Sequence, residues 1–323
     1  MKILVTGATG FIGYEVSTQL SSMGFNPRLM IRRGERGNLL DKLDAETVDC
    51  DLTDRSSLTV AVKGVEAVIH LGARATFEKY DRIKDLNVTG SFNLINECLK
   101  NGIRNFVFGS SMFVYSGGNG EIDQNTLPAP LIDYGRAKLE VEEKLIQISM
   151  GNEINIAAIR LPHVYGTQNL LFGQIRKGFI ICPGNGNNIF THLHVHDASR
   201  VLIQAALKGW HGVSPVGDNE PTTWNDFYDI IKENYSRVRV YRVPKTICYI
   251  GSMITGIFYD LFDMPNIYTE DTVTGFNLNL SVKAGALWNE LGILPDFPTI
   301  REGIPEVLNG NVPYRWKHPI KDK

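Results

Sequence analysis

The sequence has few cysteines, and none of them are arranged as in a disulfide framework or a metal site. The four cysteines Cys50, Cys98, Cys182 and Cys248 are scattered over 323 residues. No Cys-x-x-Cys pair and no Cys/His cluster with metal-ligand spacing is present, so we expect no bound metal. This usage predicts a reduced, intracellular protein.

An excess of one charge and a long apolar run are also absent. The formal net charge is −2 with both signs interspersed, which gives no electrostatic reason to expect nucleic acid as a partner. The most apolar late segment, residues 247–262, is shorter than a bilayer span and contains Asp260. We expect a buried helix or pocket wall there and no integral span, while contact with a membrane surface stays open.

The N-terminal residues MKILVTG lead directly into a predicted strand, which leaves no room for a signal peptide and favours a cytoplasmic location. Apolar runs then alternate with helical patterns through about residue 165. The runs are continuously apolar, which is typical of parallel strands covered on both faces. The pattern predicts an α/β fold, a doubly wound parallel Rossmann sheet.

Beyond residue 165 the pattern loosens, with helices predicted near 196–208 and 223–234. We therefore predict a dinucleotide-binding domain over residues 1–165. A smaller C-terminal substrate-binding lobe over 166–323 would be partly interleaved with it. Ligands are expected where the carboxyl ends of the strands meet this lobe.

The glycine-rich stretch GATGFIG places Gly7, Gly10 and Gly13 between the first strand and the first helix. A dinucleotide pyrophosphate needs close backbone and a helix N-terminus, and larger side chains here would block its approach. The strand–turn–helix context favours nucleotide binding over a plain turn.

Further motifs follow in order: Asp51-Leu52, HLGA at 70–73, Asn87 in NVTG, SSMFVYS and RLPHVYG. Together with the glycine turn they cover about residues 3–200. This series resembles the extended short-chain dehydrogenase/reductase family, with Asn87 as its helix-initiating asparagine. The later half is similar to the 3β-hydroxysteroid dehydrogenase and dihydroflavonol reductase branch. The resemblance implies these cofactor-binding positions: Gly7, Thr9, Gly10, Phe11, Ile12, Gly13, Arg32, Arg33, Asp51, Leu52, Leu71, Gly72, Ala73, Asn87, Tyr134, Lys138, Pro162 and His163.

A Tyr-x-x-x-Lys pair occurs four times, at Tyr80, Tyr134, Tyr228 and Tyr241. Only Tyr134 follows the serine-bearing strand and begins a long helix, so that Lys138 projects from the same face. A cation nearby is expected to lower the phenol's pKa from its usual value near 10. A solvated helix pair is the alternative. By resemblance, Ser111 is the catalytic serine and Ser110 the runner-up.

The acid that would hold the ribose 2′-hydroxyl of NAD is missing after the second strand, where Arg32 and Arg33 stand instead. Guanidinium groups suit a 2′-phosphate, so NADP(H) is favoured over NAD(H).

Three functions are compatible with this set of residues. The first is an NAD(P)-dependent oxidoreductase that interconverts a carbonyl and a secondary alcohol, with Tyr134 as general acid/base. The second is a sugar-nucleotide epimerase or dehydratase with bound NAD, and the third a non-catalytic nucleotide-binding regulator. The resemblance gives dehydratases Asp-Glu after the serine, where Met112 and Phe113 stand here. It gives sugar-nucleotide enzymes Arg-Asp where Thr191 and His192 stand.

The residues that replace those charges favour a hydrophobic small-molecule substrate, unless they only form the second lobe's core. They are Met112, Phe113, Leu170, Leu171 and Phe172. A cluster of possible metal ligands follows, made up of His192, His194, His196 and Asp197. Strand alternation would put the three histidines on one face, yet no further ligand completes a metal site. We favour structural or substrate-lining roles for them, with His163 as the better substrate contact. The resemblance also implies a homodimer through helices at Asn87–Lys100 and Tyr134–Ile148.

Overall fold

The computed structural model describes residues 1–32, 40–151, 154–167, 169–261, 268–283 and 285–309. Its centre is a sheet of seven parallel strands in the order β11-β6-β5-β4-β1-β2-β3. The strands are β1 Ile3–Thr6, β2 Arg28–Ile31, β3 Glu46–Asp49, β4 Ala67–His70, β5 Asn105–Ser111, β6 Asn155–Leu161 and β11 Gly212–Pro215. The predicted doubly wound parallel sheet is thereby confirmed.

Helices cover both faces of the sheet, which explains why its strands are apolar along their whole length. The helices are α1 Phe11–Ser22, α2 Arg55–Ala61, α3 Tyr80–Lys84, α4 Gly90–Lys100, α5 Asp133–Gly151, α6 Leu170–Arg176, α7 Val195–Lys208, α8 Trp224–Asn234, α9 Lys245–Leu261, α10 Glu270–Phe276, α11 Ala286–Leu291 and α12 Ile300–Asn309. Val16 of α1 and Val201 of α7 pack on one face, and Leu94 of α4 and Val141 of α5 on the other.

A third hydrophobic core fills the smaller lobe, where α6, α8 and α12 pack with short strand pairs. These strands are β7 His163–Tyr165, β8 Phe179–Pro183, β9 Ile189–Phe190, β10 His192–His194, β12 Thr222–Thr223 and β13 Arg239–Val243. α7 and β11 lie beyond residue 165 yet complete the main sheet and its cover. The division at residue 165 into two partly interleaved units stays a prediction.

Two expected elements differ in the structure. The helix expected to begin near Asn87 begins at Tyr80, and residues Asp85–Thr89 form one π-helical turn between α3 and α4. The segment at 247–262 was expected to be buried, but α9 exposes Ile250 and Ile254. Among the described residues, no helix has both the length and the apolar character needed to span a bilayer.

Candidate active site

The predicted site segments meet at one edge of the sheet, because parallel strands carry their carboxyl ends to the same side. The sheet order places β4 and β2 on opposite sides of β1, which opens the crevice where such folds bind ligands. The segments are Gly7–Gly13 after β1, Arg32 after β2, Asp51 and Leu52 after β3, Leu71, Gly72 and Ala73 after β4, Ser111 ending β5, and Pro162 and His163 after β6.

The glycine turn is packed so tightly that two of its positions exclude a side chain. Gly7 has φ +69°, and a Cβ there would lie 2.8 Å from backbone atoms of Leu71 and Gly72. A Cβ on Gly13 would lie 2.1 Å from the carbonyl oxygen of Gly7. Gly10 precedes α1 without any side-chain cap, so the first amides of the helix are left for another acceptor. This cradle, flanked by Thr9, Phe11 and Ile12, fits a dinucleotide pyrophosphate.

A buried hydrogen-bond chain fixes the loop after β4. Thr6 Oγ1 accepts from the amides of Leu71 and Gly72 at 3.1 and 2.9 Å and lies 2.7 Å from His70 Nδ1. His70 Nε2 lies 2.9 Å from Ser91 Oγ, which donates to the carbonyl of Asn87 at 2.5 Å. The donors and acceptors match only if His70 is neutral with its proton on Nε2. Burial lowers its pKa to about 3, which agrees.

Asn87 holds the same loop from the other side rather than starting a helix. Its Oδ1 accepts from the Arg74 amide at 2.7 Å, and its Nδ2 donates to the Arg74 carbonyl at 3.1 Å. The helix-initiating role is therefore wrong, because the chain is already helical from Tyr80. The π-helical turn aims the amide at the loop that follows Ala73.

Tyr134 and Lys138 lie on one face of α5, next to the end of β5. Lys138 is buried, donates from Nζ to the Gly109 carbonyl at 2.7 Å, and sits 4.6 Å from the centre of the Phe108 ring. Its Nζ is 5.7 Å from the centre of the Tyr134 ring. The predicted pairing of these two residues at the sheet edge thus has a geometry in which both could reach one ligand.

The expected lowering of the phenol's pKa by Lys138 is wrong. Burial raises the pKa of Tyr134 to about 12. Burial also lowers the pKa of Lys138 to about 8, against the opposing charge of Glu142. The reason is geometric: the Lys138 ammonium is directed to the Gly109 carbonyl at the end of β5. Tyr134 is therefore a neutral phenol at pH 7, able to donate a proton.

Ser111 and Ser110 lie at the end of β5 on opposite faces of the strand. Ser111 Oγ accepts from the amide of Phe113 at 3.2 Å, which leaves its hydroxyl hydrogen available to a ligand. Ser110 Oγ is buried without a hydrogen-bond partner among the described residues. Its hydroxyl therefore satisfies no backbone group of the described residues.

The other three Tyr-x-x-x-Lys pairs lie away from this edge. Tyr80 donates to Glu140 on the flank of α5. Tyr228 is fully buried in the smaller lobe, and Tyr241 is exposed on β13. Pro244 separates Tyr241 from the helix that begins at Lys245, as the sequence indicated.

Arg32 is exposed directly after β2, close enough to Asp51 to influence it. The pKa of Asp51 is lowered, first by hydrogen bonds from the Thr53 side chain and amide and then by the charge of Arg32. Arg33 lies outside the described residues. Arg32 and Asp51 thus stand together where the adenosine half of a dinucleotide is expected.

Aromatic rings adjoin Tyr134 where the sequence anticipated apolar substrate contacts. The Phe77 ring meets Tyr134 edge-on at 5.6 Å and Phe113 at 5.0 Å between centroids. Phe113 is half-buried, but Met112, Leu171 and Phe172 are buried in the core of the smaller lobe. The side chain of Leu170 lies outside the described residues. Phe77 was missed because no motif includes it, although it follows HLGA by only four residues.

The histidines divide into separate contacts. His163 Nδ1 lies 2.9 Å from His192 Nδ1, and burial lowers the pKa of His163 to about 3. His194 pairs with Glu306, while His196 lies in α7, beyond the end of β10, beside Glu15 and Asp296. One strand face holding all three is therefore wrong, because the strand ends at His194. Asp197 accepts from the amides of Asp296 and Phe297. The described residues contain no group of three metal-type ligands.

A buried ion pair supports the site and was missed in the sequence. Arg160 of β6 donates to Glu142 of α5, with Nη2 to Oε2 at 2.7 Å, and to the Tyr115 hydroxyl at 2.5 Å. Glu142 is fully buried, four residues beyond Lys138. In the sequence, the only indication was that Glu142 lies four residues after Lys138. Residues at this spacing share one face of a helix, so both point inward.

The fold and this crevice define a dinucleotide-dependent enzyme of the Rossmann type. The model of the NAD dependent epimerase/dehydratase family matches residues 3–216. The chain belongs to this family, within the extended short-chain dehydrogenase/reductase superfamily, as the sequence motifs indicated.

Similar proteins carry two kinds of activity in their names. A "Putative UDP-glucose 4-epimerase" of Methanocaldococcus jannaschii is 29% identical over 71% of this chain and 81% of its own. A sterol-4-alpha-carboxylate 3-dehydrogenase (decarboxylating) of Dictyostelium discoideum is 26% identical over 82% of this chain and 87% of its own. The structure of MoeE5 in complex with UDP-glucose and NAD matches with TM-score 0.76 at 22% identity, over 95% of this chain and 97% of that one. The structural likeness establishes the fold.

Proposed function

We propose that the protein is an NADP(H)-dependent oxidoreductase that interconverts a carbonyl and a secondary alcohol on a hydrophobic substrate. The observation that carries the proposal is the surroundings of Tyr134, a neutral phenol in edge-to-face contact with Phe77, whose ring in turn meets Phe113. A flat apolar substrate would meet aromatic edges there, and edge-to-face contacts of this kind are favourable.

The chain's residues supply proton transfer and orientation. In the reducing direction the Tyr134 hydroxyl donates its proton to the carbonyl oxygen of the substrate. The Ser111 hydroxyl, free to donate, orients the same oxygen. Lys138, on the same face of α5, would bind the ribose of the nicotinamide. A bound NADPH supplies the hydride that the carbonyl carbon accepts.

The cofactor positions proposed from the sequence are compatible with this geometry. The side-chain-free turn at Gly7 and Gly13 and the uncapped start of α1 suit a pyrophosphate. Arg32 is exposed at the end of β2, as contact with a ribose 2′-phosphate requires. The assignment of NADP(H) over NAD(H) rests on this arginine.

The second candidate is a sugar-nucleotide epimerase with bound NAD, which the Methanocaldococcus relative's name favours. Against it, Thr191 and His192 are buried in the core, and Thr191 Oγ1 accepts from the Val282 amide at 2.8 Å. Neither can present a cation to a diphosphate, and Met112 and Phe113 offer no acid or base after Ser111.

A substrate panel separates the two candidates. The purified protein is incubated with NADPH or NADH and with ketosteroids, other aromatic ketones and UDP-glucose. We expect NADPH oxidation, followed by absorbance, with apolar ketones only. Interconversion of UDP-glucose and UDP-galactose without net NADPH oxidation would overturn the proposal in favour of the epimerase. Tight NADPH binding with no turnover would favour a regulator.

The coenzyme assignment is tested with Arg32→Asp, which would reverse the preference toward NADH. Arg301→Asp makes the same charge change at an exposed position of α12 and serves as control. Unchanged NADPH affinity in Arg32→Asp would remove the reason for choosing NADP(H). A homodimer and a cytoplasmic location stay predictions.

A further inference from the structure

Helix α9 is oriented with its aliphatic residues toward solvent. Ile247, Ile250, Met253 and Ile254, which we call the α9 face, are 58%, 55%, 58% and 64% exposed. Ser252 of the same helix is buried instead. A helix on the surface of a globular protein normally shows the opposite arrangement.

Hydrogen bonds on the inner side hold the helix in this orientation. Tyr249 Oη lies 3.0 Å from Thr274 Oγ1 of α10, and Thr255 Oγ1 donates to the Tyr268 carbonyl at 3.0 Å. Ile247, Ile250 and Ile254 follow the i, i+3, i+7 spacing of one helical face. Turning that face inward would break both bonds.

The segment that leads into the α9 face and forms it carries charge of one sign, while α10, packed against α9, brings Glu270 and Asp271. Residues 234–259 contain no aspartate or glutamate, although the whole chain has a net charge of −2. Their basic residues, all exposed, are Arg237, Arg239, Arg242 and Lys245.

The strand pair next to α9 adds to the exposed apolar surface. Ile181 of β8 and Tyr241 of β13 are directly paired in register, and both side chains are exposed. β13 leads through Pro244 into α9. The exposed apolar surface therefore extends beyond one helix, which is uncommon without a binding partner.

We propose that the α9 face binds the surface of a lipid bilayer that contains anionic lipids. Aliphatic side chains flanked by arginine and lysine match the boundary between acyl chains and phosphates. A second copy of this chain is a poorer occupant, because a two-fold contact would bring the same four cations against each other.

Hydrogen bonds connect the inner side of α9 to the loop that holds Phe77 beside Tyr134. α9 is bonded to α10 through Tyr249, and Thr269, just before α10, donates to the carbonyl of Phe77, whose ring touches Tyr134. If the proposed function holds, a lipophilic substrate would pass from the bilayer along α9 and α10 to Tyr134. Binding to the bilayer does not itself depend on that function.

Vesicle flotation tests the proposal with the full chain. Phosphatidylcholine vesicles are compared with vesicles that also contain phosphatidylglycerol, for wild type and for Ile250→Gln/Ile254→Gln. The matched control is Leu127→Gln/Leu294→Gln, which changes leucines that are 84% and 72% exposed elsewhere. We expect the wild type and the control to float with anionic vesicles and the α9 variant to bind at least tenfold more weakly.

A charge variant and a size measurement complete the test. Arg239→Gln/Lys245→Gln should weaken binding to anionic vesicles and reduce its salt dependence. Wild type that fails to float, or an α9 variant that floats equally well, would overturn the proposal. So would a dimer, measured by light scattering, that Ile250→Gln/Ile254→Gln dissociates. NADPH turnover with a water-soluble ketone should equal that of the wild type in Ile250→Gln/Ile254→Gln and in Leu127→Gln/Leu294→Gln. A wild type that floats with anionic vesicles but shows no NADPH turnover would refute the proposed function and leave the membrane proposal standing.

Discussion

Replacing Arg160 by methionine removes one half of a buried ion pair and leaves the other half in place. Glu142 would then be a buried carboxylate without its partner. It has no contact with solvent, and it receives its hydrogen bonds from Arg160 Nε and Nη2. Burial alone would lower the pKa of Arg160, yet hydrogen bonds and charge from Glu142 raise it, so Arg160 keeps its charge.

The magnitude follows from leaving a charge unpaired in the interior. We expect Arg160→Met to lower the free energy of unfolding by about 3–5 kcal/mol, and Glu142→Leu to cost a similar amount. The double variant Arg160→Met/Glu142→Leu leaves neither of these two charges unpaired, although the buried Lys138 loses the opposing charge of Glu142. It should be more stable than either single variant, because apolar replacement of a whole buried pair is often neutral.

Urea unfolding measures the three variants and the wild type under the same conditions. The midpoint should shift while the slope of free energy against urea stays constant, which identifies a change in stability rather than in compactness. If the double variant loses the sum of the two single losses, the groups are not coupled and the reasoning fails.

Three further outcomes follow from the site and its surroundings. kcat/KM for NADPH should fall above a pH of about 8, because the free enzyme's Lys138 ammonium loses its proton there; a profile flat through this range would contradict the value. Asp218→Asn should stabilise the protein increasingly as pH rises. Burial raises the pKa of Asp218 and its oxygens lack partners among the described residues, so the folded wild type holds a proton that the unfolded chain releases. Its stability then declines by about 1.4 kcal/mol per pH unit from a pH of about 4 up to the raised pKa of the folded state, and parallel thermal melts of both proteins at several pH values would test this. Gly7→Ala should cost about 1–2 kcal/mol for the left-handed backbone alone and reduce NADPH affinity; fluorescence titration showing unchanged affinity would contradict the cradle.

The parts of the fold that depend on short-range patterns were predictable. Continuous apolar strands, a glycine turn and the chain order of Tyr134 after the serine strand are local features. They led to the parallel sheet and to the choice of Lys138 among four candidates.

Features that depend on distant contacts were not predictable. The raised pKa of Tyr134 comes from burial, to which Phe77 contributes from a loop far away in sequence. The role of Asn87 depends on a π-helical turn, which no residue spacing signalled. The apolar sequence of α9 indicated a buried helix. Which face of α9 turns outward is set by hydrogen bonds to Tyr268 and Thr274, and the sequence does not show these contacts.

The central claim is that the phenol of residue 134 donates the proton in carbonyl reduction. The most direct measurement is the turnover of Tyr134→Phe beside Tyr241→Phe, which makes the same change at an exposed Tyr-x-x-x-Lys pair. NADPH affinity should stay close to wild type in both. We predict that kcat with an apolar ketone falls by about 100-fold or more in Tyr134→Phe and is unchanged in Tyr241→Phe. A Tyr134→Phe enzyme that keeps more than about a tenth of the wild-type kcat would contradict the account.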